Sequence, residues 1–347
     1  MPAAKSVKWG VGCWQTHVLG DLVADLQAVE EAGLDYFWYG NEKLHADMWL
    51  GLAAAALNSK RVKLGTFIAD PYTVHPAITA AMIGTLDHYS DGRAVLVLGA
   101  GGSGLHELGL ERHKPVRTME DAVTAIRDLL AGRRVVRDGP VFGADAQLHF
   151  PVRSDVPIWI ATRGEKMLEL AGRVADGVMF GTIARSEDLA EAIEHVQTGA
   201  EAVGRSLDDV TLCARVDVVV DEDRNAARDA LRAFVAGVLS ASFPDRGFVE
   251  RAGLQVPDDL EEICASKDLR LAWSSGHLVP DEFVDAFTWA GTPEHVAERV
   301  AAAVELGIEN ITVVFHQGAG PTPAQIRGFA ETVIPRVRAL SGMPNGG

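Results

Sequence analysis

The residues of this 347-residue chain that could do chemistry sit in short stretches, each directly after an apolar run of strand length. The densest is Gly99-Ala100-Gly101-Gly102-Ser103-Gly104, with four glycines in six residues. Its spacing formally fits the G-x-G-x-x-G dinucleotide fingerprint, but that motif must open a helix within a first βαβ unit. Here the preceding run is the fourth, and residues 106–115 intervene before the next helical period. At the end of a strand such glycines let backbone approach a flat ring and its side chain. Thr162-Arg163-Gly164 stands where another strand meets its helix. A hydroxyl, a cation and the N–H groups of a helix start suit a phosphate, with plain capping by Thr162 as the alternative. Asn41-Glu42-Lys43 and His45 follow the second strand-length run. Glu42 has the chemistry of a general acid or base, and Asn41 can hydrogen-bond a ring edge; a solvated charged loop explains the same residues. Asp70-Pro71, taken alone, marks only a strand terminus. His106-Glu107, His113 and His316 lack zinc-site spacing, so no metal is expected. Gly102-Ser103-Gly104 lacks the flanks of a nucleophile elbow. Trp14, Trp38, Trp49 and Trp159 read as core or cleft wall.

The elements that must position these residues alternate along the chain. Strand-length runs at 7–14, 36–40, 62–69, 94–100, 157–162, 177–181, 211–220 and 310–315 are each followed by a segment of helical period. Eight strands alternating with eight helices predict a (β/α)8 TIM barrel, one domain over 1–340 with a disordered tail at 341–347. Two insertions interrupt it. Val135–Phe150 reads as a small hairpin. Residues 222–288, between strands seven and eight, begin with Ala227, Leu231, Phe234, Val235 and Val238 at helix spacing, and Ser242–Gly276 then shows little period. An insertion after a barrel strand lies on the catalytic face, so this one reads as a lid or substrate wall, with a decorated loop or dimer contact as the alternative.

Composition narrows the function classes. With 32 basic and 48 acidic residues, the net charge of −16 disfavours phosphate backbones and anionic lipid, so neither nucleic acid nor membrane is expected as a partner. No apolar run is long enough to span a bilayer, and 1–8 lacks the apolar core of a signal peptide. Three scattered cysteines fit a reducing compartment rather than a disulfide framework. The expectation is a cytoplasmic enzyme acting on a small molecule.

Several segments in order resemble one family. They are Ala32-Gly33-Leu34-Asp35; Val62-Lys63-Leu64-Gly65 with Asp70-Pro71-Tyr72-Thr73 and His75-Pro76; Gly92-Arg93-Ala94; Leu98 to Gly104; Ala161-Thr162-Arg163-Gly164 with Lys166-Met167-Leu168; and Ala175-Asp176-Gly177-Val178. From about Lys8 to Leu340 the chain is similar to bacterial luciferase-like flavin and deazaflavin enzymes. More narrowly, it resembles the coenzyme F420-dependent oxidoreductases related to methylenetetrahydromethanopterin reductase. The resemblance implies F420 as cofactor, hydride transfer to or from an organic substrate, and a homodimer. It implies a non-proline cis peptide at Phe67–Ile68 behind the deazaflavin ring, with Asn41 and Thr66 beside it. Gly99, Ala100, Gly101 and Gly102 would lie along the cofactor, and Ala161, Thr162, Arg163 and Gly164 would hold its phosphate. Asn41 and Glu42 would be catalytic, and Trp14, His106 and Gly181 would face the substrate. The sugar-phosphate dehydrogenase branch carries Asp-His where this chain has Asn41-Glu42, a glutamate at Gly102 and a lysine at Ala184, so glucose 6-phosphate is not the expected substrate. An FMN-dependent two-component monooxygenase and a non-catalytic F420- or flavin-binding protein are the alternative readings.

Overall fold

A computed structural model describes residues 7–16, 18–101, 104–105, 107–139, 142–316 and 321–342. In chain order come β1 (Lys8–Cys13), α1 (Leu19–Glu31), β2 (Tyr36–Gly40), α2 (Met48–Asn58), β3 (Lys63–Phe67), α3 (Pro76–Tyr89), β4 (Ala94–Leu98) and α4 (Pro115–Leu130). An antiparallel hairpin, β5 (Val135–Arg137) and β6 (Ala144–Ala146), precedes β7 (Ile158–Thr162), α5 (Glu165–Val174), β8 (Gly177–Gly181), α6 (Ser186–Glu201) and β9 (Thr211–Val220). Then follow α7 (Arg224–Ser242), α8 (Gly247–Arg251), α9 (Asp258–Ser266), α10 (Leu269–Ser274), α11 (Asp281–Phe287), β10 (Thr288–Gly291), α12 (Pro293–Glu305), β11 (Asn310–Phe315) and α13 (Pro323–Leu340).

The main sheet has the order β10-β9-β11-β1-β2-β3-β4-β7-β8, and β9 also pairs with β8. This is the closed parallel sheet of a (β/α)8 barrel, carrying β10 as a ninth strand beside β9. All eight strands expected from the sequence are present, as is the hairpin. Two features differ from expectation. Strand β10 was not foreseen, and the stretch expected to lack period carries α8, α9 and α10. Each of these is under ten residues, too short for a 3.6- or 2-residue period to stand out. The predicted tail falls largely on 343–347, outside the described residues.

The chain divides into two compact units. One comprises Gly10–Met179 and His195–Thr211; the other holds Phe180–Glu194 and the chain from Leu212 on. The first is built on strands buried on both faces, so β2 (YFWYG) and β4 (AVLVL) read as unbroken apolar runs. Trp38 stacks on Tyr36, with centroids 4.9 Å apart and planes 7° apart, and tilts against Trp159 at 5.3 Å. The register sets Trp38 opposite Gly65 of β3. A Cβ there would lie 2.1 Å from the indole, so this glycine makes room for the ring.

The second unit holds the insertion. α7, α8, α9 and α11 bury Leu231, Phe234, Val235, Leu239, Phe248, Leu260, Phe283 and Phe287 in one cluster with Val219 of β9 and Ala290 of β10. The insertion is thus a packed helical layer with its own core. Ala184, also in this unit, is buried, and its carbonyl accepts from Trp289 Nε1 and Arg299 Nη2, both at 3.0 Å.

Gly65→Ala is expected to lower unfolding free energy by about 1–3 kcal/mol, the usual cost of overpacking. Denaturant unfolding would check it, and an unchanged midpoint would mean the indole has room to move.

Candidate active site

In the unit built on Gly10–Met179, the loops after β1, β2, β3, β4 and β7 carry most of the residues singled out in the sequence. These are carboxyl ends of barrel strands, where enzymes of this architecture keep their chemistry. Each loop is fixed by identifiable bonds. Asn41, one residue past β2, donates its backbone N–H to Phe67 O at 3.0 Å and its side-chain amide to Ile68 O at 2.9 Å. It therefore braces both carbonyls of the Phe67–Ile68 segment, whose peptide bond is cis as expected. Glu42 is held by its backbone. Gln15 accepts from Glu42 N–H at 2.7 Å and donates to the carbonyls of Glu42 and Ala46 at 2.9 Å each. The half-exposed Glu42 carboxylate has no hydrogen bond to another described residue. Tyr39 exchanges hydrogen bonds with the backbone of Thr16, which fixes the loop that bears the half-buried Trp14.

Thr66 is wholly buried, and its hydroxyl both donates to Val97 O and accepts from Val97 N–H, each at 2.8 Å. What its side chain does is lock β3 to β4. Just beyond, Ala69 N–H donates to Val97 O and Gly99 N–H to Ala69 O, extending the pairing past the strand ends. A Cβ at Gly99 would meet Ile68 Cγ2 at 3.2 Å and Ala161 O at 3.6 Å. The ends of β3, β4 and β7 thus converge on this one glycine. Phe67 is buried and Ile68 half-buried at the same corner, beside the half-buried Ala100, Gly101 and Ala161.

Past Gly99 the loop turns with φ of +72° at Gly101 and +78° at Gly104. Gly102, Ser103 and His106 lie outside the described residues. A Cβ at Gly104 would stand 2.3 Å from Lys43 Cβ, so the loop closes directly onto the lysine stem. Lys43 Nζ pairs with Asp70 Oδ2 at 2.7 Å, with side chains only 11% and 2% exposed. Asp70 also accepts from the backbone N–H groups of Tyr72 and Thr73 and from the Thr73 hydroxyl. Burial alone would raise this carboxyl. The hydrogen bond and charge of Lys43, with the two bonds from Thr73, outweigh burial and hold it below the usual carboxylate range.

Gln15, Lys43 and Asp70 are the positioning residues that the sequence did not disclose. Lys43 read as part of a solvated loop, and Asp70 as a strand terminus. The signal was that a lysine and an aspartate each follow a strand end, on neighbouring strands.

At the end of β7 the Thr162 hydroxyl accepts from Gly164 N–H at 3.2 Å, and Gly164 is the N-cap of α5. A Cβ at Gly164 would meet nothing within 4 Å, so the start of the helix is uncovered by packing. Helix starts of this kind bind anions, and half-buried Arg163 adds a cation. Glycine corner and helix start together fit a flat ring with an anionic tail. Gly181 ends β8 with open space about its Cα. Among the described residues no cluster of three or more His, Cys, Asp or Glu could hold a metal ion, and no helix is long and apolar enough to cross a membrane.

The loops at the strand ends of this (β/α)8 barrel form a candidate ligand cradle. A family model described as luciferase-like monooxygenase matches residues 8–310, and the chain belongs to that family of oxidoreductases. The 5,10-methylenetetrahydromethanopterin reductase of Archaeoglobus fulgidus is 33% identical over 319 residues, covering 90% of this chain and 94% of the relative. A phthiodiolone/phenolphthiodiolone dimycocerosates ketoreductase of Mycobacterium tuberculosis is 28% identical, with 85% of this chain and 79% of that protein covered. The solved coenzyme F420-dependent tetrahydromethanopterin reductase of Methanopyrus kandleri superposes with a TM-score of 0.82 at 25% identity, covering 96% of this chain and 99% of that one.

Lys43→Met leaves the Asp70 carboxylate buried without its cation and is expected to cost about 3–5 kcal/mol of stability at neutral pH. The sign with pH follows from the depressed carboxyl. Its contribution is present above the ordinary aspartate value of about 4 and fades as pH falls through the lower folded value. Without Lys43 that folded value rises, so acid unfolding should begin at higher pH. An acid-unfolding curve that superposes on wild type would show the ion pair to be unimportant.

Proposed function

We propose that this chain is a coenzyme F420-dependent oxidoreductase that transfers a hydride between the deazaflavin and an organic substrate with a reducible carbon, such as a ketone. The observation that carries the reading is the corner at Gly99, where the ends of β3, β4 and β7 meet at the start of a glycine-rich loop. Beside it, α5 begins with a bare N-cap. The relatives support it, since those named above are a methylene-pterin reductase and a ketoreductase.

In this reading Asn41, Thr66, Phe67 and Ile68 form the wall behind the ring. Asn41 holds that wall by its two hydrogen bonds, and Thr66 does so by tying β3 to β4. Gly99, Ala100, Gly101 and Gly102 flank the cofactor without side-chain bulk. Ala161, Thr162, Arg163 and Gly164 receive the phosphate of its tail, where the helix start and the guanidinium both favour negative charge. When bound, the deazaflavin supplies two-electron hydride chemistry without activating oxygen. Glu42, fixed in backbone and half-exposed, carries a proton at the ring edge. Trp14 and His106 border the substrate, and pairing of two chains completes the proposal.

Fluorescence titration with oxidised F420 and, in parallel, with FMN tests the cofactor. Saturable binding of F420 at micromolar concentration or below, with FMN weaker, is expected. The reverse preference would turn the reading toward an FMN-dependent monooxygenase, and binding of neither would remove the cofactor assignment. Glu42→Gln should reduce turnover about 10²-fold or more while leaving F420 affinity within a few-fold. Turnover equal to wild type would end its proton-carrying role.

A further inference from the structure

The unit that carries the cradle has two helices that are apolar on both sides. α2 buries Met48, Leu52, Ala55 and Ala56 and packs on β2 and β3, as an outer helix should. Its opposite side is apolar as well. Leu50 and Leu57 are 75% and 76% exposed, seven residues apart, with half-buried Ala53 and Ala54 between them on the same stripe. α3 repeats the pattern. It buries Thr79, Ala80, Ile83 and Leu86, while Ile78, Ala81, Met82, Thr85 and Tyr89 follow one another along the outside. Ile78 is 50% and Tyr89 58% exposed, and the Thr85 hydroxyl already donates to Ala81 O at 2.8 Å. The two helices pack side by side, so their stripes join into one face.

That face carries no charge. α2 has no ionisable residue. In α3 the one carboxylate, Asp87, is buried and paired with Arg153 at 3.0 Å, and the His88 ring is bonded to Pro151 O at 2.6 Å. The flanking helices differ. α1, which packs on α2, exposes Asp21 and Glu31. α4, which packs on α3, is apolar only on its inner side and carries Arg117, Glu120, Asp121, Arg127 and Asp128 on the other. A helix that is apolar all round is a buried helix, and an apolar patch with a polar rim marks a protein interface.

We propose that this face is the interface between two copies of the chain, with α2 and α3 of one copy packed on α2 and α3 of the other about a two-fold axis. The proposal gives a location to the pairing included in the reading above. Charge selects the occupant. Two copies of a chain with net charge −16 repel, and they approach at least cost where neither presents a charge. A basic partner would be drawn instead to the acidic surfaces elsewhere on the chain. Shape agrees, because leucines on either side of paired alanines let the α2 stripe interlock with a copy of itself, the isologous contact that a two-fold requires. Area agrees too. Leu44, 75% exposed just ahead of α2, extends the face. At about 100 Å² for each large side chain, and less for the alanines, the face comes to roughly 600 Å², near the ~800 Å² per partner of a standard interface. Both helices begin at cradle loops. Asp47 caps α2 by accepting from Leu50 N–H at 2.8 Å, and His75 caps α3 by accepting from Ala77 N–H at 3.1 Å. A second copy seated here rests on the elements in which the Lys43 and Asp70 loops end.

Sedimentation velocity of the full chain at micromolar concentration, without cofactor, tests the face. Wild type should sediment as a dimer. Leu50→Glu combined with Leu57→Glu sets like charges against each other and should weaken dimerisation about 100-fold or more. Its far-UV circular dichroism should match wild type, because both side chains are exposed in the single chain. Val136→Glu, at a valine 74% exposed on β5, is the control and should stay dimeric. Ala54→Cys should be joined into a covalent dimer by a short bis-maleimide, since Cys13, Cys213 and Cys264 are all buried.

A wild-type monomer overturns the pairing and the face together. A dimer that the double glutamate variant leaves intact, or that Val136→Glu dissociates equally, overturns the face alone. Should the double variant not fold, the Ala54→Cys cross-link decides, and its absence counts against the proposal. None of these outcomes bears on the cofactor, which the F420 titration decides separately.

Discussion

The Lys43–Asp70 ion pair is the contact on which the cradle depends. Lys43 comes from the loop after β2 and Asp70 from the loop after β3. The glycine loop after β4 closes on the Lys43 stem at Gly104. Three loops from three strands therefore share one nearly buried bond. A charge pair in that position is poor value as a source of stability, because both ions are taken out of water. What it supplies is registration, since three hydrogen bonds from its own loop already fix the carboxylate and the lysine is drawn to that point. The bonds from Asn41 to the carbonyls of Phe67 and Ile68, and from Gln15 to the backbone of Glu42, do the same for the neighbouring segments. A site made of loops becomes rigid when each loop is tied by polar groups to the next.

The barrel explains why such polar ties are confined to strand ends. Its parallel strands are buried on both faces, so β2, β4 and most of β11 have no place for an unpaired polar group. Thr66 obeys the rule by bonding twice to Val97, and Arg215 with Asp217 obeys it by carrying its counterion two residues away. Where the strands end, the backbone must find partners outside the ladder. The side chains that provide them are the ones that remain for chemistry.

Much of this was legible in the sequence. The eight strands announced themselves as short apolar runs between helical periods, and the glycine loop and Thr162-Arg163-Gly164 marked two of the loops. The elements that escaped were short: α8, α9, α10 and β10 are each too brief for periodicity to register. The residues that escaped were those whose meaning depends on a partner far away in sequence. Asp70 is an ordinary strand terminus until Lys43 is beside it, 27 residues earlier. Arg215 and Asp217 did carry a local signal, two opposite charges on one face of a run that otherwise reads as buried. A charge inside such a run asks for its partner, and here half of the answer was two residues away. The other half, His316, lay 99 residues on, beyond any local pattern.

The helical layer of the insertion bears on how this chain can diverge. Because α7, α8, α9 and α11 bury their own apolar cluster and use β9 and β10 as its floor, the layer is a small structure laid on the barrel rather than a loop stretched across it. Its outward residues can drift freely, while its inward ones must change in concert. Descendants of this chain can thus remodel this layer as a block, with β9 and β10 beneath left as they were inherited.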